Sequence, residues 1–127
     1  MENNEHYPLV SFCLVAYKEE KYIRDAIKGA FSQDYPNLEI ILSDDGSPDR
    51  TYEIMQEMAS EYKGPHKIIL NQNKPNLGSR DHYCKVLYEL SKGEFVVLAD
   101  GDDISLPQRC SGSYFVIYLN FRFCLSL

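Results

Sequence analysis

The sequence lacks the features that mark secreted, membrane-spanning and cysteine-metal proteins. Its four cysteines form no Cys-x-x-Cys pair and no cysteine and histidine spacing typical of a metal site. No apolar run reaches the roughly 20 residues that a membrane-spanning helix requires. The N-terminus is polar and acidic, unlike the basic and then apolar start of a signal peptide. These absences favour reduced cysteines and a cytoplasmic location, with peripheral attachment at the inner membrane face left open.

Basic residues are also in short supply. The chain of 127 residues has 13 Lys and Arg against 19 Asp and Glu, a formal net charge of −6. Because nucleic acids call for clustered positive charge, this balance argues against a nucleic-acid partner. The hydrophobic share of 44% and the charged share of 25% are ordinary for a globular protein. The length suffices for one domain with a core and leaves little room for a second.

What the chain does contain is an alternation of buried strands and amphipathic helices. Short apolar runs typical of strands buried on both faces cover residues 9–16, 38–42, 68–70 and 95–99. Apolar residues recur at helical spacing over residues 23–31, 52–62 and 83–90. Ser47 followed by Pro48 predicts the N-cap and first residue of the second helix. The order β-α-β-α-β-α-β predicts an α/β fold with a parallel sheet and helices on both faces.

An acidic cluster, residues 100–103, directly follows the fourth predicted strand. Its sequence is Asp-Gly-Asp-Asp, and three carboxylates within four residues repel one another unless a cation is bound. Oxygen ligands suit Mg²⁺ or Mn²⁺, which can in turn bridge to a diphosphate. Two other interpretations stay open at this point. The cluster is also compatible with a solvated acidic turn, or with Asp103 capping a short helix at Ile104.

A second acidic cluster, Asp44-Asp45-Gly46-Ser47, follows the second predicted strand. A carboxylate there can accept hydrogen bonds from the imide N–H of a uracil or from ribose hydroxyls, although Asp-Gly is also a common turn dipeptide. Ligands bind beyond the carboxyl ends of parallel strands, so both clusters should face one crevice. An acidic site for a base and sugar beside a metal site for a diphosphate predicts a nucleotide-sugar pocket.

The order of these motifs resembles the start of a large family of inverting glycosyltransferases, the "family 2" type. The segments that carry the resemblance are residues 10–17, 32–41, 44–51, 76–78, 93–95 and 100–103. The resemblance implies the GT-A fold, a Rossmann-like nucleotide-binding half. It also implies transfer of a sugar from a UDP-sugar, or another nucleotide-diphosphate sugar, to an acceptor hydroxyl with inversion. A divalent cofactor, Mn²⁺ or Mg²⁺, and a part in polysaccharide biosynthesis belong to the same expectation.

The resemblance also assigns roles to residues that match the family's motifs. Tyr17 would stack near the uracil, with Ala16 and Glu19 lining the same pocket. Asp45 would accept a hydrogen bond from the base. Arg80, which follows the Asn-Leu-Gly motif, would approach the nucleotide, although a solvated residue at a helix start is an equal interpretation.

The metal would be held at the cluster of residues 100–103. Asp102 would contact the ion, with Asp100 beside it near the sugar or ribose. Asp44 would shape its turn instead of touching the ligand. His6, His66 and His82 have no partners at metal spacing and are interpreted as surface or loop residues.

The chain is predicted to divide into three regions. Residues 1–7 form a tail, residues 8–109 the nucleotide-sugar-binding half, and residues 110–127 an apolar segment of unclear origin. Residues 112–127 contain no Asp, Glu or His, and no general base can be assigned. The apolar segment is compatible with a buried strand, an interface or sequence foreign to the domain. The alternative function is therefore a truncated, non-catalytic module that binds nucleotide or forms a homodimer through this segment.

Overall fold

Strands and helices alternate through the part of the chain that the structure, a computed structural model, describes: residues 7–111 and 116–118. The elements are β1 (Val10–Ala16), α1 (Ile23–Phe31), β2 (Leu38–Asp44), α2 (Thr51–Glu61), β3 (Lys67–Gln72), α3 (Ser79–Lys85) with a π-helical continuation (Val86–Leu90), β4 (Phe95–Asp100) and β5 (Val116–Tyr118). They form one sheet of order β3-β2-β1-β4-β5. The first four strands are mutually parallel, and β5 is antiparallel to β4.

The predicted parallel sheet with helices on both faces is confirmed. Strands β1 and β2 are buried along their whole length, as their apolar runs indicated. Successive side chains of a strand point to opposite faces. Phe12 and Leu14 accordingly pack with α1 and α2, whereas Cys13 and Val15 pack with Val86 beside α3. Burial raises the pKa of the Cys13 thiol, which therefore behaves as a small core side chain.

The second helix begins at Thr51, so the prediction that Ser47 and Pro48 start it is wrong. The Ser47 side chain is engaged elsewhere, because its Oγ donates to Asp44 Oδ1 (2.5 Å). Asp44 also accepts the Ser47 backbone N–H at 2.8 Å and so shapes the turn, as predicted. The carboxylate of Asp49 instead accepts the backbone N–H of Thr51 at 3.0 Å, which satisfies a donor at the helix start.

The apolar segment 110–127 lies largely outside the described residues. Its residues 116–118 form β5, which pairs with residues 95–97 of β4. Residues 112–115 and 119–127 are not described, and the predicted dimer surface falls there. Within the part of the chain that is described, no helix is long and apolar enough to cross a membrane.

The residues that follow β4 are fixed against α1 by a buried glutamine. Gln33 Nε2 donates to the carbonyl of Leu106 (2.7 Å), and Gln33 Oε1 accepts the backbone N–H of Cys110 (2.9 Å). Gly29 allows the close approach, since a Cβ there would lie 2.7 Å from the carbonyl oxygen of Ser105. Helix α1 thereby holds the chain that leaves the acidic cluster.

We predict that Gly29→Ala destabilises the protein. The added methyl group would displace the backbone of Ser105, and such overpacking costs about 1–3 kcal/mol. Alanine is the better helix former by about 1 kcal/mol, which offsets only part of this cost. Urea unfolding measures the free energy of unfolding, with the exposed neighbour Lys28→Ala as control. A Gly29→Ala protein as stable as the parent would contradict the packing described here.

Candidate functional site

A cleft at the carboxyl ends of β1, β2 and β4 brings the predicted site residues together. Its cavity volume is about 310 Å³. The residues that line it are Val15, Ala16, Tyr17, Glu19, Asp45, Ser79, His82, Tyr83, Asp100 and Asp102. Of the predicted site residues, only Arg80 is not among the described residues lining this cavity; it is exposed at the start of α3.

The register of the sheet explains this convergence. Val15 of β1 pairs with Ser43 of β2 on one side and with Asp100 of β4 on the other. Ser43 pairs in turn with Asn71 of β3. The two acidic clusters therefore follow strands that end at the same level, on either side of β1.

Asp45 is the most extensively hydrogen-bonded carboxylate of the site. It is buried, with 3% of its surface exposed. Oδ1 accepts from Asn73 Nδ2 (2.9 Å) and from the backbone N–H of Leu77 (2.8 Å). Oδ2 accepts from Asn76 Nδ2 (2.9 Å) and from the backbone N–H of Gly78 (3.0 Å). This one side chain therefore fixes the loop between β3 and α3.

These bonds explain the Asn-Leu-Gly motif of the sequence. Gly78 has a φ of 90°, a conformation that favours glycine and in which its N–H reaches Asp45. A carboxylate offers about four acceptor positions, and all four are used within the loop. Acceptance of a hydrogen bond from a base by Asp45 would require a further position or a shift of the loop, and it stays a prediction.

The hydrogen bonds also hold the Asp45 pKa below its ordinary value. Burial alone would raise the pKa, but the N–H groups of Leu77, Asn73 and Gly78 stabilise the charged form and outweigh it. The carboxylate is therefore ionised at neutral pH.

The acidic cluster forms the other side of the cavity. Asp100 Oδ1 accepts from the hydroxyl of Tyr83 (2.6 Å), and Asp103 Oδ2 accepts the backbone N–H of Asp100 (3.1 Å). Asp103 thus closes the turn on itself, and no helix begins at Ile104, so the interpretation of Asp103 as a helix cap is wrong.

Glu19 packs against the acidic cluster, because a Cβ at Gly101 would lie 2.8 Å from Glu19 Cγ. Burial raises the pKa of Glu19, and the charges of Asp102 and Asp100 raise it further. Neither aspartate forms a salt bridge with a cation among residues 7–111. Within those residues, no three His, Cys, Asp or Glu side chains are grouped closely enough to hold a metal by themselves. The site thus concentrates negative charge without a complete set of protein ligands.

The structure also adds residues that the sequence did not predict. His82 is buried at 4% exposure and lines the cavity, so its interpretation as a surface or loop residue is wrong. Its Nε2 lies 2.6 Å from the Oγ of Ser43, a residue of the buried strand β2. Tyr83, expected only as a helix-face residue, contacts Asp100. The sequence did contain one signal of this contact, the polar Ser43 at the end of an apolar strand, because a buried hydroxyl needs a hydrogen-bond partner.

Comparison with known proteins agrees with the fold and the motifs. A family model described as "Glycosyl transferase family 2" matches residues 11–113. The putative glycosyltransferase EpsE of Bacillus subtilis is 33% identical over 102 residues, which cover 80% of this chain and 36% of EpsE. The chain spans about a third of the length of the curated relatives it matches.

Two solved structures share the fold. TarS 1-349 of S. aureus in complex with UDP-GlcNAc superposes with a TM-score of 0.70 at 25% identity, covering 81% of this chain and 29% of that one. The mannosyltransferase PcManGT of Pyrobaculum calidifontis, in complex with GDP-Man and Mn²⁺, gives 0.69 at 24% identity, covering 80% and 30%.

We predict that Asp45→Asn lowers the free energy of unfolding by about 1–3 kcal/mol at neutral pH, because an amide cannot accept from all four donors. Asp45 has a lowered pKa, so its contribution is complete above the ordinary value of 3.8 and is lost as the pH falls through the lower folded value. The difference from the parent protein should therefore shrink in acid.

Urea unfolding at pH 7 and near pH 3 measures both effects. Asp25→Asn, at an exposed position on α1, is the control. A difference that stays constant over this pH range would contradict the role of the charged carboxylate.

Proposed function

Because the chain belongs to glycosyl transferase family 2, we propose that residues 8–109 form the nucleotide-sugar-binding half of a glycosyltransferase. The reaction is transfer of a sugar from a UDP-sugar to an acceptor hydroxyl, with inversion at the anomeric carbon. The observation that carries the proposal is the meeting of both acidic clusters in one cavity. A cytoplasmic location and a part in polysaccharide biosynthesis are included and rest on the sequence alone.

The side of the cavity formed by β1 and β2 suits the base and ribose. Tyr17 follows β1 and is 42% exposed, with Lys18 Nζ 5.2 Å from the centroid of its ring, and the ring face that Lys18 leaves uncovered can stack on a base. Ala16 and Glu19 line the same cavity, where both also pack against Gly101. The complex of TarS with UDP-GlcNAc supports a uridine nucleotide as the donor, since that protein shares the fold at 25% identity.

The side formed by β4 suits a diphosphate with a divalent cation. Asp102 and Asp100 would hold Mn²⁺ or Mg²⁺, because carboxylate oxygens are the ligands these ions prefer and no cation of the protein neutralises them among residues 7–111. Such an ion keeps several positions for water and phosphate oxygens, which fits a site with few protein ligands. When bound, it would stabilise the negative charge of the leaving diphosphate.

The residues of this chain bind and orient the donor. Tyr83 holds one carboxylate oxygen of Asp100 by a hydrogen bond of 2.6 Å. The turn closed by Asp103 fixes the backbone of the same aspartate. Carboxylates fixed in this way would need no reorganisation when the divalent cation and the nucleotide diphosphate arrive together, which is the advantage of a preorganised site.

We predict that UDP binds this chain in a manner that depends on Mn²⁺ or Mg²⁺. Removal of the ion with a chelator should weaken binding about tenfold or more, and Asp102→Ala should have a similar effect. Asp45→Ala should also weaken binding, because the loop that positions α3, whose Ser79, His82 and Tyr83 line the cavity, loses its anchor. Isothermal titration calorimetry measures each affinity.

Asp25→Ala is the matched control, since Asp25 is an exposed carboxylate of α1 that does not line the cavity. Equal UDP affinity with and without the ion would contradict the metal role. Absence of UDP binding under every condition would contradict the proposed function, and sugar transfer by the pure chain would exclude the non-catalytic alternative.

A further inference from the structure

A line of hydrogen-bonded side chains connects Asp45 with His82, both of which line the cavity, and we call it the polar line. Its members are Asp45, Asn73, Asn71, Ser43 and His82. The successive distances are 2.9 Å from Asn73 Nδ2 to Asp45 Oδ1, 3.0 Å from Asn71 Nδ2 to Asn73 Oδ1, 2.9 Å from Asn71 Nδ2 to Ser43 Oγ, and 2.6 Å from Ser43 Oγ to His82 Nε2. All members except Asn71 are buried.

The charge of Asp45 fixes the direction of every bond in the polar line. An ionised carboxylate only accepts, so Asn73 must present its amide N–H₂ to Asp45. The carbonyl oxygen of Asn73 then faces Asn71, which must present its own N–H₂ there. The second N–H of Asn71 is directed at Ser43 Oγ. Neither amide can be turned around without setting two acceptors or two donors against each other.

The hydroxyl proton of Ser43 consequently has one acceptor in the polar line. Asn71 occupies a lone pair of Ser43 Oγ, and the remaining partner is His82 Nε2. If Nε2 carried a proton, it would donate to Ser43 and leave the hydroxyl proton without an acceptor. Ser43 therefore donates to Nε2, and a neutral imidazole then carries its proton on Nδ1. Burial lowers the pKa of His82 and outweighs the charges of Asp45 and Asp44, which favour the protonated ring, in agreement with a neutral ring.

The second ring nitrogen of His82 is available to a ligand. Nδ1 has no hydrogen-bond partner among residues 7–111, and this atom is not fully buried. It is therefore reached by solvent although the residue is only 4% exposed. The open space that His82 lines is the cavity itself.

We propose that His82 is a specificity-determining residue that presents Nδ1–H at the floor of the cavity to the 4-carbonyl oxygen of a uracil. The proposal rests on the proposed function. His82 contacts Ser43 of β2, and Asp45 directly follows the same strand. Asp100 lies on β4, which is separated from β2 by β1 and therefore by two strand spacings, or roughly 10 Å. The neutral donor is thus placed on the base side of the cavity, apart from the side that suits the diphosphate.

The chemistry of pyrimidines makes this donor selective. The edge of the base that points away from the ribose enters a cavity deepest, and on uracil this edge carries the 4-carbonyl. Cytosine carries an amino group there, whose N–H would oppose the N–H of His82. A site built to donate a hydrogen bond rejects an analogue that cannot accept it.

The tautomer of His82 tests the proposal without any nucleotide. Long-range ¹H–¹⁵N correlation spectra of the labelled chain should show a protonated Nδ1 and an unprotonated Nε2 for His82. Ser43→Ala removes the hydroxyl donor and should move the proton toward Nε2. His66, which does not line the cavity, is the internal control. A protonated Nε2 in the parent chain would overturn the assignment.

Calorimetry with UDP and CDP, both with Mn²⁺, tests the recognition. The parent chain should prefer UDP, and His82→Ala should lose about tenfold in UDP affinity and most of that preference. His82→Asn can place an amide N–H near the position of Nδ1 and should retain part of both. His66→Ala should change neither.

The failures of the two proposals are distinguishable. A His82→Ala protein that folds and keeps both its UDP affinity and its preference would overturn the role of His82, while UDP binding itself would still stand. A parent chain that binds no UDP would overturn the proposed function. The NMR spectra would still determine the tautomer of His82, because they need no nucleotide.

Discussion

The arrangement of this site depends on one buried carboxylate that accepts four hydrogen bonds. Asp45 follows β2 and receives N–H groups from both ends of residues 73–78. That loop leads directly into α3, so the carboxylate also determines where α3 begins. His82 and Tyr83 lie on the first turns of α3 and reach opposite sides of the cavity. A backbone loop that could take many conformations is thereby held in one by a single charge.

The parallel sheet supplies the matching surface beneath α3. One row across the sheet contains Asn71, Ser43, Val15 and Asp100, in strand order β3-β2-β1-β4. The row two residues earlier on the same face is apolar and forms part of the core with Val86. Polar residues therefore appear where the sheet leaves its core and meets the cavity. Helix α3 and its π-helical continuation cover both rows. Val86 packs on the apolar row, whereas His82 and Tyr83 contact the polar one.

Much of the fold could be predicted from the sequence, because buried parallel strands and amphipathic helices leave local patterns. The convergence of the two acidic clusters also followed, since the carboxyl ends of parallel strands meet at one edge. His82 was missed because its partner Ser43 is 39 residues away in sequence. The start of α2 was misplaced for a related reason, since local pattern favours Ser47 and Pro48 as a cap while Ser47 is engaged with Asp44. Patterns of neighbouring residues do not reveal bonds between distant ones.

Amide hydrogen exchange of Leu77 and Gly78 tests the central role of Asp45 most directly. Both amides lie in a loop, and amides of exposed loops exchange readily unless a hydrogen bond holds them. If Asp45 accepts these N–H groups as described, both should exchange about as slowly as the amides of β2 at neutral pH, and replacement of Asp45 by Asn should remove that protection. Rapid exchange of Leu77 and Gly78 in the parent chain would contradict the account.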